Sequence, residues 1–145
     1  MRIDSWTVLE EINKDPKLIE TKYRDNAMLK LVLQEQFVEP QWILPEGIPP
    51  FKESQEAEGM HMTNLYTEAR KLYVFRRADL TPVRRETIFI DLLQNLDPRE
   101  VVIVLALKDK NLNKLYPKIT KKVAGKIIQI PEAVRSKKKD DTQSV

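Results

Sequence analysis

The chain has 145 residues, 41% hydrophobic and 32% charged, with a net charge of +3, a single histidine and no cysteine. This is the size and balance of one globular domain with one core. Disulfides, thiolate metal sites and most zinc arrangements are excluded. No stretch approaches the ~18–20 apolar residues of a membrane span, and Met1-Arg2-Ile3-Asp4 does not open a signal peptide, so a cytosolic chain is expected.

Asp4 or Ser5 can cap a first helix on which Trp6, Leu9 and Ile12 recur at helical spacing. Asp15-Pro16 reads as an N-cap followed by proline at the first helical position, opening a short second helix with Leu18 and Ile19 inward. Asp25 or Asn26 can cap a third, where Met28, Leu31 and Val32 form one stripe and Leu29, Leu33 and Phe37 widen it. Residues 39–51 contain Pro40, Pro45, Gly47, Pro49 and Pro50 and cannot stay helical. Their Trp42, Ile43, Leu44, Ile48 and Phe51 predict an ordered strap packed on the helices. Residues 52–62 are acidic and read as a mobile loop.

Thr63 or Asn64 can cap a fourth helix with Leu65, Ala69 and Leu72 on one face and Tyr66 and Tyr73 beside them. Thr81-Pro82 opens a fifth, with Phe89, Leu92, Leu93 and Leu96 at i, i+3, i+4 and i+7. Asp97-Pro98-Arg99-Glu100 opens a sixth, with Glu100 placed to complete a capping box. Residues 101–107 are β-branched and continuous enough for a buried strand, but the cap and the lack of a partner strand favour a central buried helix. A seventh helix is expected over 117–128, one further turn after Pro131, and a disordered polar tail from Ser136. The fold expected is all-α, a single compact domain of about seven helices over 1–135 followed by the tail 136–145. No internal repeat is visible.

Charge is unevenly spread. Residues 1–75 hold 9 Lys/Arg against 13 Asp/Glu, and residues 76–145 hold 16 against 9. An electropositive half points to a polyanionic partner. Arg84 and Arg85 fall in a first helical turn, where the helix dipole disfavours cations. Either an anion is expected beside them, or one of them pairs with Glu86, Asp91 or Asp79. Lys118, Lys122 and Lys126 share a helix face with Lys121 beside it, behind a loop carrying Lys108, Lys110 and Lys114. Such a pair suits phosphate binding, charge supplying affinity and loop amides supplying register, or else a solubilising surface. The tail Lys137-Lys139 adds at most nonspecific attraction, partly cancelled by Asp140-Asp141. Only Tyr116 interleaves with these lysines, so duplex backbone contact fits better than base stacking.

Catalytic constellations are not found. Three glycines could hardly build a phosphate loop. The lone His61 lies near the acidic loop and reads as a solvated histidine with no Ser-His-Asp set around it. Glu10-Glu11 and Asp140-Asp141 are sequence neighbours that point apart, so neither suggests a metal site.

Asn13-Lys14-Asp15-Pro16-Lys17-Leu18-Ile19, Tyr23-Arg24-Asp25-Asn26-Ala27-Met28-Leu29-Lys30 and the strap from Trp42 to Pro50 resemble the opening of the α-helical N-terminal DNA-binding domain of phage ATP-dependent DNA ligases. Asp97-Pro98-Arg99-Glu100-Val101-Val102, Lys108-Asp109-Lys110-Asn111-Leu112 and Ile119-Thr120-Lys121-Lys122-Val123 are similar to its later helices, which in that family face the duplex. The Lys-x-Asp-Gly nucleotidyl motif is absent, so the resemblance implies a stand-alone binding domain and argues against ligation. Over nearly its full length the chain also resembles a family of small tailed-phage proteins without assigned activity. Trp42-Ile43-Leu44-Pro45-Glu46-Gly47-Ile48-Pro49-Pro50, the segment Leu65 to Tyr73 and Arg84-Arg85-Glu86-Thr87-Ile88-Phe89-Ile90 carry that likeness.

These readings together give an expectation of a non-catalytic, cofactor-free, monomeric phage protein in the cytoplasm of the infected bacterial host. It would grip double-stranded DNA, nicked or intact, through Arg76, Arg77, Arg84, Arg85, Lys108, Lys110, Lys114, Lys118, Thr120, Lys121, Lys122 and Lys126. The alternative is an adaptor or inhibitor that binds a replication, transcription or host protein. Its contact would be the strap (Trp42, Ile48, Phe51) or the Tyr66/Tyr73 face.

Overall fold

A computed structural model describes residues 3–131. Helix α1 (Ser5–Lys14) is followed by a 3-10 helix (Pro16–Ile19) and α2 (Ala27–Phe37). After the strap, α3 (Leu65–Glu68) runs directly into a second 3-10 helix (Ala69–Arg76). Then come α4 (Pro82–Asn95), α5 (Pro98–Lys108) and the single turns α6 (Leu112–Leu115) and α7 (Lys121–Ala124). No strand occurs among the described residues, and the fold class is all-α as expected.

Local chemistry starts five of these helices at caps the sequence offers, whereas Asp4 caps α1 without a side-chain bond and the Thr120 cap is not an expected one. Asp15, Asn26, Asn64, Thr81, Asp97 and Thr120 each accept a first-turn N–H through the side chain, which satisfies one of the donors a helix start leaves open. Prolines follow Asp15, Thr81 and Asp97, where a missing N–H does no harm. The expected capping box at Glu100 does not form. Its carboxylate instead takes the Ser5 hydroxyl at 2.6 Å and the Leu65 N–H at 3.1 Å, joining α5 to the starts of α1 and α3.

The core collects Val8, Leu9 and Ile12 of α1, Met28, Leu29, Val32 and Leu33 of α2, and Val101, Ile103, Val104 and Leu107 of α5. On α4, Phe89, Leu92, Leu93 and Leu96 are all buried, so the i, i+3, i+4, i+7 stripe is the packed face. Trp42, Phe75 and Phe89 form one aromatic cluster with ring centroids 5.0, 5.3 and 6.2 Å apart, in the tilted and edge-on geometry that such rings favour.

The strap is ordered but only part of it is inward. Trp42 is buried, and Leu44 and Phe51 pack against the core, whereas Ile43 and Ile48 are exposed. It is pinned at several points. The Ile43 N–H donates to Phe75 O at 2.8 Å, the Trp42 indole N–H to Glu35 Oε1 at 2.9 Å, Gln41 to Lys108 O at 3.3 Å, and the Lys52 N–H to Gln94 at 3.0 Å.

Three boundaries differ from the sequence reading, the first being that Lys108 ends α5 and Lys114 lies in α6 where a loop is expected. The helix expected over 117–128 is the single turn α7, because the Thr120 cap restarts the chain after Pro117. The expected fourth helix tightens to 3-10 geometry from Ala69 onward, which turns Phe75 as well as Leu72 into the core. The turn expected after Pro131 and the tail 136–145 lie outside the described residues.

Candidate nucleic-acid interface

The sequence presents the basic half as one class of residue, and the structure sorts it into two. Arg85 is 5% exposed. Its Nε donates to Ile43 O at 2.8 Å, and its Nη1 donates to Arg77 O at 3.0 Å and Leu80 O at 2.5 Å. It forms no ion pair with Glu86, Asp91 or Asp79, although, after the Arg77 bond, its charge helps to hold the Asp79 carboxyl low. It is a clamp that ties the strap to the turn before α4. Lys108 is likewise removed from solvent, at 4% exposure, with Nζ 3.5 Å from Asp109.

Lys110 stands at the end of α5 in a Schellman motif. The Asn111 N–H donates to Ala106 O at 2.9 Å and the Lys110 N–H to Leu107 O at 3.2 Å. Lys110 takes the left-handed position, φ 57°, usually given to glycine. Its ammonium crosses to the end of α2 and donates to the carbonyls of Glu35 and Glu39, where a helix presents unsatisfied acceptors and negative partial charge. Burial lowers the Lys110 ammonium's pKa, opposed by the nearby Glu35 and Glu39. Gln36 completes the joint, donating to Lys110 O at 2.8 Å and accepting the Leu112 N–H at 3.1 Å.

The remaining expected contacts divide as follows. Arg76 makes two bonds to the buried Glu35, at 3.2 and 2.9 Å, and lies 3.4 Å from Glu39. Arg77 forms a two-bond pair with Asp79 at 3.0 and 2.5 Å. Thr120 is spent as the cap of α7, its hydroxyl accepting the Val123 N–H at 3.2 Å. Lys126 lies 3.9 Å from Glu20. Arg84, Lys114, Lys118, Lys121 and Lys122 are exposed and form no ion pair among the described residues. Four of these five are lysines on the final segment, which is docked by the Lys118 N–H on Asn13 Oδ1 at 2.8 Å and by α7 against α2 and the first 3-10 helix. Arg84 lies on α4, which packs on the second 3-10 helix.

His61 is not the solvated residue the sequence suggested. Its side chain is buried, with Nδ1 2.7 Å from the Ser54 hydroxyl and Nε2 3.4 Å from Asp97 Oδ2. Beside it opens a cavity of about 310 Å³ lined by Asp4, Ser5, Trp6, Glu58, His61, Thr63, Asn64, Tyr66, Asp97 and Glu100, among others. Arg99 joins three of its lining residues. The guanidinium bonds Asp97 at 3.1 and 3.0 Å and Glu58 at 3.1 Å, and lies 4.0 Å over the Trp6 ring. Burial pushes the Asp97 carboxyl up, but Arg99 and the bonds it makes hold it below the usual carboxylate range. The Glu100 carboxyl is pushed up by burial, reinforced by Asp97 and Asp4 and opposed by the Ser5 and Leu65 bonds. Histidine and serine seven residues apart in a loop gave no periodic signal that could have revealed this grouping.

A model described as a family of unknown function (DUF6433) matches residues 8–114. The chain belongs to that family. The DUF6433 region runs from within α1 through most of α6, including the Arg85 clamp, the Lys110 joint and His61. Lys118, Lys121, Lys122 and Lys126 lie beyond it. No curated protein and no solved structure matches the chain.

Proposed function

We propose that this chain is a non-catalytic DNA-binding protein that contacts the duplex backbone through Lys114, Lys118, Lys121 and Lys122, with Lys126 beside them. The observation carrying this reading is the contrast in side-chain use. From Arg76 to Lys110, every basic residue but Arg84 is tied to a carboxylate or carbonyl, while these four lysines are exposed without an acidic partner among the described residues. Unpaired, solvated ammonium groups gathered on one short segment are what phosphate contact requires. The likeness to the ligase N-terminal domain supports the same segment, and with it a phage protein acting in the host cytoplasm. Arg76, Arg77, Arg85, Lys108 and Lys110 leave the interface in this reading, since moving them would break internal bonds.

Fluorescence anisotropy with intact and nicked duplex tests it. Neutralising about four phosphates gives a slope of log affinity against log salt near −3.6, from about −0.9 per phosphate. The triple variant K118Q/K121Q/K122Q should lower the slope's magnitude by about 3. Absence of binding to either duplex at about 20 mM salt defeats the proposal, because screening is then weak.

A second reading rests on the strap. Ile48 is 67% exposed and Ile43 42%, beside an ordered backbone that presents them at fixed positions, and exposed apolar groups held in this way suit a protein partner. On that reading the chain is an adaptor for a replication, transcription or host protein. Ile48→Asp would abolish its partner binding and leave DNA affinity unchanged, which separates the two.

A further inference from the structure

The cavity between the starts of α1, α3 and α5 is unlike the rest of the molecule in its charge balance. Asp97 and Glu58 share the Arg99 guanidinium. Glu100 has no such neighbour. It is 3% exposed, it lines the cavity, and both donors that reach it, Ser5 Oγ and the Leu65 N–H, bond the same oxygen, Oε2. No described group donates to Oε1 and no described cation pairs with the carboxylate. Asp4, exposed at the cavity mouth, also has no ion pair among the described residues. A buried carboxylate with one oxygen unsatisfied and like charges nearby is costly unless a proton or a cation joins it.

We propose that this cavity binds a primary alkylammonium group, with Glu100 and Asp4 as its counter-ions. The volume of about 310 Å³ accommodates a short alkyl chain and lies at the small end of ligand pockets. Among the described residues no group of three or more His, Cys, Asp or Glu side chains is arranged to hold a metal ion, which favours an organic cation over a metal. An ammonium suits the site better than a guanidinium. It is a compact point charge, and the indole face of Trp6 that a planar cation would stack on is already occupied by Arg99. The ring of Tyr66 and the side chain of Ile3 supply apolar wall for the methylenes.

The same chemistry is offered by a free diamine and by a lysine side chain, and the two are tested side by side. Amide and indole N–H signals are followed by NMR while 1,4-diaminobutane, Nα-acetyl-lysine methylamide or n-butanol is titrated at low salt and neutral pH. Saturable shifts centred on Ser5, Leu65 and the Trp6 indole are expected with at least one of the two amines and not with butanol. A response to the diamine alone assigns a free amine, and a response to the blocked lysine assigns a protein side chain. Glu100→Gln keeps an oxygen for Ser5 and Leu65 while turning an N–H₂ into the cavity, and should weaken binding at least tenfold. Asp4→Asn should weaken it about threefold while leaving every buried contact in place. Shifts that fail to saturate below about 10 mM, equal response to butanol, or unchanged affinity in Glu100→Gln overturns the proposal.

Discussion

Arg84 and Arg85 are adjacent, equally charged and structurally opposite, so a pair of substitutions can separate internal from external use of charge. Arg85→Met replaces the guanidinium with an unbranched apolar side chain and leaves the carbonyls of Ile43, Arg77 and Leu80 without their donor. Each bond from a charged donor contributes a net of about 1.5 kcal/mol at the low end, since folding only exchanges it for water. Three of them, less some gain from the apolar replacement, give a loss of about 3 kcal/mol. That is a large part of the roughly 5–15 kcal/mol that holds a domain together. With a urea dependence of about 2 kcal/mol per molar, the midpoint should fall by about 1.5 M. Arg85→Lys should lose about 2 kcal/mol despite keeping its charge, because one ammonium cannot reach three divergent carbonyls that a planar fork spans. Arg84→Met should stay within about 0.5 kcal/mol of the native chain. Urea titrations followed by circular dichroism measure all three. If Arg85→Lys unfolds at the native midpoint, the clamp is not a stabilising element and the charge of Arg85 is free for other use.

The Lys110 joint predicts an order among variants. Lys110→Ala loses the ammonium bonds to α2 and keeps the left-handed strain, costing about 2 kcal/mol. Lys110→Gly loses the bonds but relieves φ, and should be about 1 kcal/mol more stable than the alanine variant in the same urea assay. Glu100 predicts a pH dependence. Its carboxyl is raised in the folded chain, so its protonated form adds stability below the ordinary carboxylate pKa of about 4.3, and that contribution is lost as pH rises through the raised value. Thermal midpoints of Glu100→Gln should therefore exceed the native chain's at pH 7 and lack this decline. Matching profiles would mean that Glu100 is not the group responsible. Glu35 takes Trp42 Nε1 and two Arg76 nitrogens, so Glu35→Ala should lose about 3–5 kcal/mol, measured as a denaturation midpoint.

Helix starts were legible because capping is local. Asp15, Asn26, Asn64, Thr81 and Asp97 are all within three residues of the groups they bond. The candidate interface is less legible, because a count of charges carries no helix phase. Arg85 lies four residues before Phe89 and seven before Leu92, on the same inward stripe, and Lys108 lies four after Val104. Counting periodicity through the charged positions would have placed both inside. The Lys110 joint and the His61 cavity had no comparable signal. Each depends on residues many positions apart, as when Lys110 meets Glu35 and Asp97 meets His61, and only tertiary packing brings them together.

Lys110 sits in the turn that ends α5 while its side chain holds the end of α2, and helix ends are ordinarily where exchange with solvent begins. Here neither end can fray alone, since opening one releases the acceptors or the donor of the other. The last turns of α2 and α5 therefore form one opening unit, and their amides should share a single hydrogen-exchange free energy even though about 70 residues of chain separate them.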